Sequence, residues 1–442
     1  MLNQQIITRF PPSPTGLFHI GNARTALFNY LFAKQKGGKI LFRIEDTDKE
    51  RSKKEYEDDI INGLKWLGID LDFSNILRQS ERKEVYKKYL EEMIKKGSAY
   101  ISKEDTTEED KRAEVIRFKN PNKKIKFNDL IRREIEFDSM DLKDFVIAKS
   151  LEEPVYHLTV VVDDFEMGVT HIIRGEDGIS NTPRQILIQE AIGAPRPFYA
   201  HLPLVLAPDR SKLSKRKHGG VVSLSYYREA GYLPEAMINF LALLGWNPGT
   251  DKEIFSFKEL IKEFNLNKVQ KAGAIFNVEK LNWINNQYIK KMDIKKLTEL
   301  CTPYINLKYQ KSNLKNIEKI ISIKQEGMNK LSEAGEGIEF FFEKPVFPKE
   351  MIIWKSSDME SARKNLQKIS EILCDIKGED FSKENIKRVI WPYAEEKGKG
   401  DVLWPFRVVL TGKEKSPEPF IVAEILGKEE CLARIKNALD VS

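Results

Sequence analysis

Cysteine is scarce in this chain: Cys301, Cys374 and Cys431 are the only three among 442 residues. They are too few and too scattered for a disulfide framework, and none forms a CxxC pair, so a reducing compartment is expected and each reads as a small buried apolar residue. Long apolar runs are missing as well. No stretch approaches the roughly 18 uninterrupted apolar residues of a membrane span, and Met1 to Gln5 lacks the basic start and apolar core of a signal peptide. A cytoplasmic protein without a membrane partner is the expectation. Nor does one sign of charge dominate. With 73 basic and 67 acidic side chains the net charge is +6, an excess that suits an RNA partner only if it gathers on one face. No internal repeat is visible.

What is present supports ordered domains. Hydrophobic residues make up 41% of the chain, and its length exceeds one ordinary core, which points to two or more domains. Charged residues reach 32%, yet the Lys/Glu mixing leaves helical periodicity intact, so these runs read as wet helix faces.

Two segments carry the chemistry. Thr8 to Asn22, TRFPPSPTGLFHIGN, opens with β-rich residues, blocks a helix with Pro11, Pro12 and Pro14, and starts one at Ile20 with Ala23, Leu27, Tyr30 and Leu31 on one face. His19 and Gly21 therefore sit at a helix start, where free N–H groups face anions. Gly21 lets a ligand approach the backbone, and His19 can donate to phosphate oxygens as charge builds. About 190 positions later comes KLSKRK, Lys212 to Lys217, bracketed by Pro208-Asp209 and Gly219-Gly220. A flexible cationic loop of this kind can close on a triphosphate and relax to release pyrophosphate. Together the two segments read as a divided ATP site.

The pair, in this order and spacing, resembles the signature of class I aminoacyl-tRNA synthetases. With FRIEDTD at Phe42 to Asp48, VVDD at Val161 to Asp164 and IIRGED at Ile172 to Asp177, the chain is similar to glutamyl-tRNA synthetases of the bacterial kind. Looser agreement follows at Leu233 to Pro248, Ile275 to Asn285 and Leu410 to Glu429, so the resemblance covers nearly the whole length.

The resemblance implies an α/β fold: a class I Rossmann-like, doubly wound parallel sheet split by an α+β insertion and followed by an all-helical C-terminal half. The expected domains are 1–100 and 151–230 for the two halves of the catalytic sheet, the second with the mobile KLSKR loop. Residues 101–150 form an acceptor-binding insertion, 231–300 a helical stem-contact domain and 301–442 an anticodon-binding domain. The family's insertion carries a cysteine-rich zinc site in some members. This one has no cysteine there, so no zinc is expected.

Site residues follow by the same resemblance. His19, Lys212 and Lys215 are the expected catalytic residues, neutralising the charge that develops on phosphate. Gly21, Asp177, Leu204, Val205 and Ser214 join them around ATP, with magnesium as its companion. Arg9, Ser13, Glu45, Tyr156 and Arg174 are expected around L-glutamate, Glu45 facing the ammonium and the two arginines the carboxylates, through planar forks that a neutral amide satisfies less well. Which arginine takes which carboxylate stays open. Val160 stands where many relatives carry Asn, and His157 or a water is expected to compensate. Asp48 and Arg51 are candidates for the tRNA end. The expected partners are tRNA(Glu), with tRNA(Gln) left open, and the expected state is a monomer. Three alternatives remain at this point: an enzyme activating a small acid without RNA, a tRNA-modifying relative, and a non-catalytic RNA-binding paralogue.

Local patterns add further expectations. His157 to Val162 reads as a buried parallel strand ending in Asp163-Asp164, where ligands collect. Ser80 reads as the N-cap of a helix whose apolar face includes Val85, Tyr89 and Met93. Gly398-Lys399-Gly400 reads as a loop reaching RNA.

Overall fold

The computed structural model describes residues 5–104, 114–310, 314–355 and 357–440, with only the backbone of Lys215, Arg216, Leu314 and Lys315. Two compact units divide the chain, Met1–Tyr288 and Ile289–Ser442.

In the first unit β1 (Ile7–Phe10), β2 (Lys39–Ile44) and β3 (Leu77–Arg78) form a parallel sheet in that order, with α1 (Ile20–Gln35) and α2 (Lys54–Trp66) as the crossovers. Helix α1 is buried on almost every side, from Ile20 through Ala33, as an apolar crossover between packed layers must be. The chain then runs through α3 (Lys83–Lys95) into an insertion whose described residues form six strands: β4 (Ala99–Lys103), β5 (Glu114–Phe118), β6 (Lys124–Asp129), β7 (Arg133–Asp138), β8 (Phe145–Ser150) and β9 (Glu153–Pro154). Strands β4, β5, β8 and β9 make an antiparallel sheet. The β6–β7 hairpin behaves differently.

After α4 (Tyr156–Glu166) come β10 (His171–Gly175), α5 (Thr182–Ile192), β11 (Phe198–Leu202) and β12 (Val205–Leu206). Strand β6 pairs in parallel with β11, which pairs in parallel with β10. The edge beside β1 is tied by Thr170, whose N–H donates to the Ile7 carbonyl at 2.9 Å and whose hydroxyl accepts from the Ile7 N–H at 2.8 Å. The chain thus leaves β1 toward β2 on one side and returns beside β1 on the other. Such a reversal opens a crevice at the strand ends.

Residues 157–162 are not a strand. They lie within α4, which follows the extended Val155 and buries every position from Leu158 to Asp164. A segment buried on all sides shows no polar face, so its β-branched valines mimic a buried strand, and propensity yields to tertiary packing. Helical spacing sets Thr159 and Asp163 on one line and Tyr156, Val160 and Asp164 on the next. Asp163 and Asp164 are therefore internal ion-pair partners and not groups at a strand's carboxyl end.

Ser80 is no N-cap either. It sits in a short 3₁₀ turn, Gln79–Glu81, with its hydroxyl donating to Asp46 at 2.6 Å, while Arg82 precedes α3 without a side-chain cap. The buried face of that helix is Tyr86, Leu90 and Met93.

The second unit packs helices Met359–Cys374, Lys383–Lys397, Lys399–Thr411, Pro419–Leu426 and Lys428–Asp440 around Leu366, Ile390, Phe406 and Ile435. Cys301 and Cys431 are buried; Cys374 is exposed. The loop expected at Gly398–Gly400 is a single-residue break between two helices: Gly398, at φ +104°, ends one and begins the next. Gly400 already lies in the following helix, so close to the Trp354 ring that a Cβ would collide with it. Glycine here permits a tight corner, and the same residue type signals a loop in sequence.

Candidate active site

The crevice between β1 and β10 is a cleft of about 730 Å³. Its walls come from the end of β1 (Arg9, Phe10), the proline turn, the start of α1, Glu45 after β2, the first turns of α4, the end of β10, the Leu204-Val205 edge, and the loop leading to α6 (Lys215–His218). His19, Gly21, Asp177, Leu204, Val205, Lys212 and Ser214 all line it, as do Arg9, Ser13, Glu45, Tyr156 and Arg174. The side chain of Lys215 lies outside the described residues. Asp48 and Arg51 are not in the cleft. They pair with each other at 2.6 Å on the surface, and Asp48 borders a separate depression that also includes Tyr156, Lys83 and Lys149.

His19 has one protonation pattern open to it. As the N-cap of α1 its Nδ1 accepts the Gly21 N–H at 2.9 Å, so the neutral ring carries its proton on Nε2. Burial, and then Lys212, hold its pKa below the ordinary histidine value. The neutral imidazole has a single donor, Nε2–H, which meets the Leu213 backbone here and can be exchanged for a ligand. Gly21 is spoken for: the amide expected to meet phosphate is engaged by the histidine, and a Cβ there would stand 3.3 Å from Nδ1. On the facing loop the Lys212 ammonium donates to Asp177 at 2.9 Å. These exposed groups are free to exchange that pairing for a ligand.

A buried charge network underlies the rest. Arg43, fully enclosed in β2, donates Nη1 to Asp164 at 2.8 Å and Nη2 to Glu45 at 2.9 Å, and its Nε lies 3.7 Å from Asp163. Burial alone would lower its pKa, but the three carboxylates outweigh burial and hold it above the ordinary value. Asp164 also accepts from Arg9 Nε at 3.2 Å. Burial pushes Asp164 up, Arg9 and Arg43 pull it further down, and it stays ionised. Glu45 lies above the usual range because burial outweighs the pull of Arg43. Asp163 is held from the other side by Gln79, Arg82 and Tyr86, at 2.8, 2.8 and 2.9 Å.

Sequence reasoning gave Arg43 no role. Its signal was there: a charged residue in the middle of KILFRI, a buried strand, requires buried partners. Arg24 was also missed. It is buried in α1, lines the cleft, donates Nη1 to the Leu244 carbonyl at 3.1 Å, and is brought down to about 10 by burial against the pull of Glu176 and Asp177. His157 does not supply the polar group that valine lacks at position 160. Val160 lines the cleft, but the His157 ring packs 6.4 Å from Phe145, outside the lining, and its Nδ1 is buried without a partner among the described residues.

Arg174 is clamped at three points. Its Nε donates to His201 Nε2 at 3.1 Å, and its Nη2 to the Gly178 carbonyl at 3.0 Å and the Thr182 hydroxyl at 2.8 Å. A Cβ at Gly178 would stand 2.6 Å from Arg174 Nε.

Comparison with known proteins agrees along the whole chain. A family model described as tRNA synthetases class I (E and Q), catalytic domain, matches residues 5–112 and 102–283, and one described as an anticodon binding domain matches 296–439. A protein named glutamate–tRNA ligase from Carboxydothermus hydrogenoformans is 41% identical, with 97% of this chain and 98% of that one covered. Its namesake from Bacillus subtilis is 37% identical over 99% of this chain and 100% of its own length. A solved structure of a glutamate tRNA ligase from Elizabethkingia meningosepticum, in complex with its amino acid, superposes with a TM-score of 0.90 at 34% identity, covering 99% of this chain and 100% of that chain. With that agreement reaching through both units, the chain belongs to the glutamate–tRNA ligase family of class I aminoacyl-tRNA synthetases.

Proposed function

We propose that the protein activates L-glutamate with ATP and transfers it to the 3′ end of tRNA(Glu). The observation that carries this reading is the meeting, in one cleft, of a neutral Nε2–H imidazole and the Lys212 ammonium with Arg9, Arg174 and Glu45. In the first step an oxygen of the glutamate α-carboxylate attacks the α-phosphorus of ATP, and the bond to pyrophosphate breaks. His19, Lys212 and Lys215 neutralise the leaving oxygens, while Ser214 and the edge at Leu204-Val205 orient the nucleotide and Asp177 faces the ribose. The hydroxyl of the terminal tRNA adenosine then attacks the acyl carbon and AMP departs.

Glutamate is held by charge. Arg9 and Arg174 supply guanidinium donors for its carboxylates, Glu45 accepts from its ammonium with Ser13 and Tyr156 beside it, and glutamine would lose the charge-assisted component. Magnesium enters with the triphosphate. Among the described residues no group of three His, Cys, Asp or Glu is placed to hold a metal. Zinc has no place in this reading, since the insertion lacks cysteine. Residues 101–150 are assigned to the tRNA acceptor end, with Asp48 and Arg51 nearby, 231–300 to the stem and 301–442 to the anticodon. A cytoplasmic monomer is proposed; no helix among the described residues is long and apolar enough to cross a membrane.

Pyrophosphate exchange with glutamate, run with and without total tRNA, tests the assignment. Aminoacylation of separated tRNA(Glu) and tRNA(Gln) then fixes its breadth. Exchange followed by charging of tRNA(Glu) is the expected result. Absence of exchange in both conditions would point to a non-catalytic RNA binder, and RNA-independent exchange without charging to a small-acid ligase or a tRNA-modifying enzyme.

A further inference from the structure

The β6–β7 hairpin of the insertion reaches the clamped Arg174. His201, fully buried on β11, places Nδ1 2.7 Å from Asp129 Oδ2, at the end of β6, and Nε2 3.1 Å from Arg174 Nε. A guanidinium nitrogen can only donate, so His201 Nε2 must accept. The ring proton therefore sits on Nδ1 and is donated to Asp129. Asp129 is fixed in turn: its carboxylate accepts the N–H groups of Ile131 and Arg132 at 2.9 and 2.8 Å and that of His201 at 3.0 Å. Burial keeps His201 below its ordinary pKa, consistent with a neutral ring between an anion and a cation.

We propose that Asp129 and His201 form a positioning relay that sets the tautomer of the imidazole, locks the Nε edge of Arg174, and so leaves Nη1 to meet a carboxylate of the amino-acid substrate. This rests on the reading of Arg174 as a glutamate contact. Thr182 supports the same geometry: its hydroxyl accepts from Arg174 Nη2 at 2.8 Å and stands 3.2 Å from His201 Nε2. The hairpin that carries Asp129 also holds Glu176 through Arg132, and Glu176 accepts the Leu204 N–H at 2.8 Å. One element of the insertion thus braces both the arginine and the nucleotide edge of the cleft.

The test uses the full chain in pyrophosphate exchange, with ATP and tRNA saturating and glutamate varied. His201→Asn keeps a donor toward Asp129 but removes the acceptor at Nε2, whereas His201→Gln offers an amide oxygen near that position. The expected result for His201→Asn is a KM for glutamate raised on the order of tenfold to a hundredfold, as for a lost hydrogen bond to a charged group, with kcat and the KM for ATP little changed. His201→Gln should recover most of it. Asp129→Asn, which favours the wrong tautomer, should resemble His201→Asn. An unaltered glutamate KM in His201→Asn, or equal damage to both KM values in the Asn and Gln variants, overturns the relay. If His201→Asn does not fold, Thr182→Val carries the test: a severalfold rise in glutamate KM supports the relay and an unchanged one overturns it. Arg174→Lys separates the two levels. Should it leave the glutamate KM untouched, the reading of Arg174 itself has failed; should it raise that KM while the His201 variants do not, only the relay has.

Discussion

Replacing Arg43 with methionine removes a cation that three carboxylates share. Asp164 and Glu45 lie 2.8 and 2.9 Å from it and Asp163 lies 3.7 Å away, all enclosed. Deleting one partner of a buried ion pair costs about 3–5 kcal/mol, because the other charge is left uncompensated. At roughly 2–4 °C per kcal/mol, the unit spanning Met1–Tyr288 should melt roughly 6–20 °C lower. Function should fall with it. Glu45 is already above the usual carboxylate range through burial, with Arg43 as its main restraint, so losing Arg43 raises Glu45 further and weakens its attraction for an ammonium. The glutamate KM is expected to rise on the order of a hundredfold, the upper range for a charged hydrogen bond.

The sign of the pH dependence follows. A carboxyl whose folded pKa is raised contributes stability below its unfolded value, near 4.5, and loses it as pH rises through the folded pKa. The melting gap between Arg43→Met and the parent should therefore narrow toward pH 5 and widen toward pH 8. Calorimetry across that range, with pyrophosphate exchange at pH 7.5, makes both measurements. Melting within about 2 °C of the parent, an unchanged glutamate KM, or a gap indifferent to pH would refute the claim that this network holds the site.

Two further outcomes are expected. Lys212 lines the cleft, whereas Lys217 is tied to Asp209 at 2.6 Å outside it, so Lys212→Ala should lower kcat of exchange on the order of a hundredfold and Lys217→Ala should change it little; equal losses would contradict the geometry. Burial, with Arg184 and Arg174 adding to it at His157, holds His157 and His171 down to about 4, so their stabilisation is complete above the ordinary value of 6.5 and is lost as pH falls through about 4. His171 stacks on Phe198 at 5.0 Å, and His171→Phe should flatten the acid limb of the melting curve; a limb of unchanged slope would show that this histidine does not contribute to it.

The parts of the fold that sequence discloses are those with a surface. Strands β1 and β2 are bounded by proline and glycine, and α1 begins directly after the proline turn, so each has a local mark that survives packing. The cations of the KLSKRK segment are legible for a similar reason: a loop cannot bury them, and only a polyanion justifies such a density. Helix α4 has no mark of this type. With positions 158–164 all buried, neither alternation nor an amphipathic stripe remains, and the valines tip the reading toward a strand. A four-residue periodicity was available at the polar positions, Thr159 with Asp163 and Tyr156 with Asp164, but it becomes meaningful only once Arg9, Arg43 and Gln79 are known to face it.

That dependence separates two kinds of site residue. His19, Lys212 and Asp177 stand in segments whose local chemistry points outward to a ligand, so their sequence neighbours announce them. Arg43, Asp129 and His201 face other protein groups, and their partners lie 121, 72 and 27 positions away, at Asp164, His201 and Arg174. Of the contacts in these networks, the Arg43–Glu45 pair, two positions apart, is one that falls within a short window of sequence; the three longer links do not. A buried charge or imidazole in an apolar strand is nevertheless a constraint on the unseen remainder of the molecule: Arg43 within KILFRI demands carboxylates, and His201 within FYAHL demands a donor and an acceptor. Read as requirements for partners, the polar residues that interrupt apolar strands point to the supports of a site, just as glycine turns and cationic loops point to the groups that touch its ligands.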